Sequence, residues 1–198
     1  MSHKSVYFLI VVSGALLLGV VASAFLFLPS VRAHKVLADV RTLEVGKTTF
    51  DDANRVAIRI KAIPSTPCSP ADCLWYVRID NSTLPKQWRG PITMFSAQFR
   101  VKDSVISERA FSSQIGTGPN ISIAEVDEQM HWRGNTTEPL FVTTQTAADT
   151  PHYRAFVRLT PAVSPDVRNR YLSFNLSCLW KHGGCGDAQE LLPTVDWK

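Results

Sequence analysis

The sequence predicts an α+β protein. An N-terminal transmembrane helix should be followed by one domain with an early helix and a mainly antiparallel sheet of about six or seven strands. Three observations lead there. Residues 6–28 form a run of 23 without a charge, 19 of them hydrophobic, whereas the rest of the chain is 40% hydrophobic. Helical periodicity appears once, around residues 50–60. From residue 75 onward the apolar pattern changes to a period of two, the signature of strands with one buried face. The chain thus divides into a cytoplasmic N-terminus (1–5), a membrane helix (6–28), a stalk (29–42) and an exported α+β domain (43–198).

A helix of 23 residues at 1.5 Å per residue is about 34 Å long, enough for a hydrocarbon core of ~30 Å. Its polar interruptions, Ser13, Gly14, Gly19 and Ser23, are small. A cleaved signal peptide is the competing reading, with Lys4 as its basic end and Val31-Arg32-Ala33 near the cleavage point. Signal cores run about 7–15 residues, so the retained anchor is preferred. Arg32, Lys35 and Arg41 after the run outnumber Lys4 before it, which by flanking charge alone places the N-terminus outside. The cysteines argue the reverse. Cys68, Cys73, Cys178 and Cys185 form two close pairs, suited to an oxidising compartment, and the domain is therefore placed outside the cytoplasm.

Thr49 followed by Asp52 predicts a helix start, with Phe50, Ala53, Ala57 and Ile60 on one face and an end near Ile63, before Pro64. Gly46-Lys47-Thr48 is no phosphate loop, because Arg41 occupies the place of the first glycine. Residues 64–73 hold three prolines and two cysteines and predict a constrained loop. Trp75, Val77 and Ile79 alternate with polar neighbours, as do Phe95, Ala97, Phe99 and Val101. Lys102-Asp103-Ser104 predicts a hairpin turn into 105–111. Further strands are expected at 121–126, 140–146, 153–160 and 172–178. Ser164-Pro165-Asp166 predicts a helical turn, and Asp187 with Glu190 a last short helix stopping at Pro193.

No motif carries chemistry. There is no G-x-S-x-G, no H-E-x-x-H and no cofactor-binding glycine pattern, and His34, His131, His152 and His182 stand outside any hydrolase motif. The acid pairs Asp51-Asp52 and Asp127-Glu128 read as a solvated helix start and strand end. The cysteines read as two local disulfides rather than a zinc site, since the second pair is too widely spaced for a C-x₂₋₄-C knuckle. Residues 29–198 carry 20 Lys and Arg against 17 Asp and Glu, without clustering, which argues against a nucleic-acid partner. Trp75 and Trp180 are expected in the core. Trp88-Arg89 and Trp132-Arg133, each before a glycine, are the candidate partner-binding positions, for an envelope protein or a glycan. Four of six asparagines, Asn81, Asn120, Asn135 and Asn175, begin N-x-[ST] sequons, as a glycosylated type II ectodomain would if the source were eukaryotic.

Cys68-x₄-Cys73 leads into a strand ending at Asp80-Asn81, and residues 99–103 lead into Val105. Leu176-Ser177-Cys178-Leu179 and Gly184-Cys185-Gly186-Asp187 precede Leu191-Leu192-Pro193. In these blocks, about half the chain, the sequence resembles uncharacterised single-span exported bacterial proteins with two cysteine pairs. The resemblance is structural; it implies an envelope location and assigns no site residues. The expectation is a membrane-anchored binding or interaction module, with an envelope assembly factor as the alternative and an enzyme less favoured.

Overall fold

In a computed structural model, residues 3–116, 121–130, 139–145 and 153–194 are described. Helix α1 (His3–Arg41) runs unbroken for 39 residues, through Pro29. Residues 29–42, expected as a stalk, therefore belong mostly to this helix. Ala33, Val36, Leu37 and Val40 recur at helical spacing and are buried in the domain core. The first half of α1 is different. Leu16 and Leu17 are 67% and 66% exposed. Among the described residues no helix is long and apolar enough to cross a membrane. The side chains of residues 3–11, 18 and 20–25 lie outside those described.

Helix α2 (Phe50–Ile60) starts where expected. Thr49 is its N-cap, accepting from the Asp52 backbone N–H at 3.3 Å. It ends at Ile60 rather than near Ile63, because Lys61 turns left-handed (φ 58°). The Ala62 N–H then reaches back to the Ala57 carbonyl, a Schellman closure that satisfies the last turn. Ala53, Val56, Ala57 and Ile60 are buried, and Phe50 packs on Trp75 with ring centroids 5.5 Å apart.

The strands are β1 (Ile63–Pro64), β2 (Asp72–Asp80), β3 (Thr93–Lys102), β4 (Val105–Ile115), β5 (Ser122–Gln129), β6 (Leu140–Gln145) and β7 (Tyr153–Leu159). They form one sheet in the order β1-β2-β3-β4-β5-β7-β6. Every pair is antiparallel except β5 with β7. The β3–β4 hairpin turns on Asp103 and Ser104, both at positive φ, as a two-residue type I′ loop requires. A bulge between Arg100 and Val101 shifts the register beside it.

One sheet face carries the core. Trp75, Val77, Phe95, Phe99, Val101, Phe111, Val126 and Val157 are at most 3% exposed and pack with α1 and α2 in one cluster. Helix α3 (Lys86–Arg89) links β2 to β3. Helix α4 (Pro165–Tyr171) begins at the Ser164 cap, and α5 (Ala188–Leu191) at Asp187, whose carboxylate accepts from the Glu190 N–H at 3.1 Å. The expected strand at 172–178 is absent. Leu172, Phe174, Leu176 and Cys178 are buried in alternation, but the segment pairs with no strand and closes as a 3-10 turn, Leu176–Leu179, capped by Asn175.

Both disulfides form as local loops, Cys68–Cys73 and Cys178–Cys185, so the zinc alternative is excluded for these thiols. Loops this short remove little chain entropy. Replacing either pair with serines should cost about 2 kcal/mol in denaturant unfolding under non-reducing conditions. A loss several-fold larger would show that the bridges do more than close their loops.

Candidate functional site

The most heavily built polar site lies where α1 ends. The last carbonyls of a helix lack intrahelical donors, and the C-terminal end of α1 is inside the domain. Arg109 of β4, 3% exposed, supplies donors here: Nη1 donates to the Val40 (3.4 Å) and Arg41 (2.9 Å) carbonyls of α1 and to the Leu43 carbonyl just beyond it (2.6 Å). Its Nε donates to Glu128 Oε2 of β5 at 2.7 Å, with Nη2 at 2.6 Å from the same oxygen. Arg168 of α4 reaches Glu128 Oε1 at 3.0 Å. Burial pulls the Arg109 pKa down, and Glu128 opposes that shift by favouring the cation. A cavity of about 70 Å³ beside this network is lined by Glu44, Lys47, Arg109, Glu128, Pro161 and Arg168. All three Arg109 nitrogens have acceptors, Nη1 on the carbonyls and Nε and Nη2 on Glu128, so the cluster ties the end of α1 to β4 and β5.

The opposite sheet face carries no helix among the described residues. Ser96, Gln98, Ser112, Gln114, Glu125 and Arg158 are half-buried along it, while Tyr76 and Phe156 are 36% and 38% exposed. Near its β5–β7 centre, Asp127 meets Arg158 Nε at 2.9 Å and accepts from Gln129 at 3.0 Å. Burial raises the Asp127 pKa, and Arg158 opposes it. Burial also raises Glu125, with the neighbouring Asp127 charge adding to the shift. The pair Asp127-Glu128, expected as a solvated strand end, is thus buried, one acid on each face of β5.

Of the predicted partner-binding residues, Trp88 and Arg89 sit at the end of α3. The Trp88 ring is half-buried; its Nε1–H donates to the Trp180 carbonyl at 3.1 Å and its ring meets His182 edge-on at 4.9 Å. Arg89 Nη1 donates to the Gly90 carbonyl at 3.0 Å. Gly90 needs to be glycine, since φ is +64° and a Cβ there would lie 2.3 Å from the Gly183 carbonyl oxygen. Trp132 and Arg133 lie outside the described residues, as do His131, His152, Asn120 and Asn135. Trp75 is core, as expected, while Trp180 packs on Phe27 of α1 at 4.5 Å. Asn81 is fully buried and its side-chain oxygen accepts from the Thr93 N–H at 2.9 Å. That sequon joins β2 to β3, and its amide nitrogen, buried and without a hydrogen-bond partner, is out of reach of a glycosyltransferase. Asn175 Oδ1 accepts from Ser177 Oγ at 2.6 Å. Among the described residues no three His, Cys, Asp or Glu side chains gather as a metal site.

Sequence reasoning missed Arg109 and Glu128. The readable signal was phase: Glu128 follows Ala124 and Val126 at a spacing of two, which puts a carboxylate on the buried face. Comparison with protein-family models, curated proteins and solved structures finds no match to the chain.

Arg109→Met leaves Glu128 short of a partner and strips donors from the α1 carbonyls. It should cost about 3–5 kcal/mol in chemical unfolding, and Arg109→Met with Glu128→Met less than the two single losses added. Strict additivity would show that the two residues act separately. Glu125 supplies a pH test. Its folded pKa is raised, so its ionised form opposes folding above that pKa, and the penalty fades as acid protonates it. Glu125→Gln should therefore melt higher than the native chain at neutral pH and converge with it below the ordinary carboxylate range. An advantage that persists in acid would contradict this origin.

Proposed function

We propose that this protein is a membrane-anchored, extracytoplasmic interaction module of the cell envelope. Residues 6–28 lie in the bilayer, and the open sheet face meets the partner. The observation that carries the reading is the one-sided architecture: α1 and α2 pack on a single face of the sheet, and the other displays Tyr76 and Phe156 among polar side chains. Large exposed aromatics in a polar surround are typical anchors of protein interfaces.

Three further features support it. The uncharged run is long enough for a bilayer. The two disulfides suit an oxidising compartment, and the resemblance to exported single-span proteins points the same way. The continuity of α1 from that run into the core would hold the sheet face at a fixed angle to the membrane. Trp88, with its N–H and its ring already engaged inside the protein, is a weaker candidate for the partner surface than Tyr76 and Phe156.

A photo-crosslinking side chain placed at Tyr76 or Phe156 in the native membrane should yield one shared adduct mass. The same probe at Ile58, exposed on α2, should not. Absence of the adduct at both sheet positions, or its equal formation from Ile58, would reject the open face as the partner surface.

A further inference from the structure

Where α1 meets the rest of the domain, a cavity of about 460 Å³ opens between the helix and the end of β2. Leu28, Pro29 and Ile79 supply apolar walls, Arg32 and Arg78 supply two cations, and Asp80 supplies one carboxylate, which leaves one cation in excess. Arg78 pairs with Asp80 at 3.2 Å, while Arg32 is exposed and makes no ion pair among the described residues. The same end of the domain gathers aromatic and basic side chains from two distant loops. Trp180 packs against Phe27, Trp88 donates to the Trp180 carbonyl, and the Gly183 N–H donates to the Trp88 carbonyl at 2.7 Å. Residues 81–92 contribute Lys86 and Arg89, residues 177–186 contribute Lys181 and His182, and neither stretch contains an acid.

We infer that this end of the domain is a binding site for an anionic phospholipid. The inference rests on the reading of residues 6–28 as bilayer-embedded. Under that reading Phe27 lies at the edge of the hydrocarbon, and Arg32 stands about 7.5 Å farther along the helix, at headgroup depth. Trp88 and Trp180 then occupy the interfacial layer where indoles are enriched. Guanidinium groups are suited to paired hydrogen bonds with a phosphate, and a mixed apolar and cationic pocket matches a phosphodiester attached to a glycerol and its first methylenes. A zwitterionic lipid would bring its own cation toward Arg32 and Arg78, so the anionic class is favoured.

Native mass spectrometry of the full chain released from detergent micelles tests this, with phosphatidylglycerol or phosphatidylcholine titrated in. One phosphatidylglycerol should remain bound in preference to phosphatidylcholine. Arg32→Gln and Arg78→Gln should each weaken it about fivefold, the effect of one juxtamembrane charge. Arg55→Gln, an equal charge loss on α2, should leave it unchanged. Excess inorganic phosphate should not displace the lipid. Equal retention of both lipids, loss of binding in Arg55→Gln, insensitivity to Arg32→Gln, or displacement by phosphate would each overturn the site. Alkaline carbonate extraction of native membranes that contain the full chain separates this from the anchor. Release of the chain defeats the anchor, whereas retention with no preference for phosphatidylglycerol defeats only the lipid site.

Discussion

The C-terminal end of α1 is buried, and one side chain makes that burial tolerable. Carbonyls at a helix end that point into a protein interior need donors, and the partial negative charge of that end is stabilised by a cation. Arg109 provides both from the middle of the sheet. The guanidinium would itself be costly to bury, so Glu128 accompanies it from the next strand, and Arg168 takes the second carboxylate oxygen. Helix, two central strands and α4 therefore share one charged junction. An isolated surface ion pair, such as Arg55 with Asp52, contributes far less because water screens it.

Much of the remaining architecture follows from that junction. With its end fixed, α1 lies on the sheet through Ala33, Val36, Leu37 and Val40, and Asp39 meets Arg59 of α2 at 3.2 Å. The Arg41 guanidinium donates to Asn169 of α4. These contacts occupy one sheet face and leave the other open. They also mean that the uncharged segment and the domain share one continuous helix, so a force or tilt applied to the segment reaches the sheet without a flexible joint.

The strands and caps were legible because they depend on local chemistry. Thr49, Ser164 and Asp187 each cap the helix they announce, and Asp103-Ser104 makes the expected turn. The errors have physical causes. Residues 29–42 suggested a stalk because Pro29 follows the apolar run, yet the buried set at 33, 36, 37 and 40 already has helical spacing. Proline loses one backbone hydrogen bond but need not end a helix held by packing elsewhere. Residues 172–178 alternate in burial as a strand would, but alternation reports one-sided burial only, and no ladder partner lies beside them among the described residues. The Arg109 junction joins residues up to 69 positions apart, and no local pattern encodes that pairing.

The central claim is that residues 29–41 are a rigid part of the domain rather than a linker. Hydrogen–deuterium exchange on the full chain addresses it directly, because exchange reports local opening free energy. The buried contacts and the Arg109 junction predict that amides of residues 33–41 exchange nearly as slowly as those of β3 and β4. Exchange in that stretch at the rate of an unprotected peptide, with β3 and β4 still protected, would contradict the account.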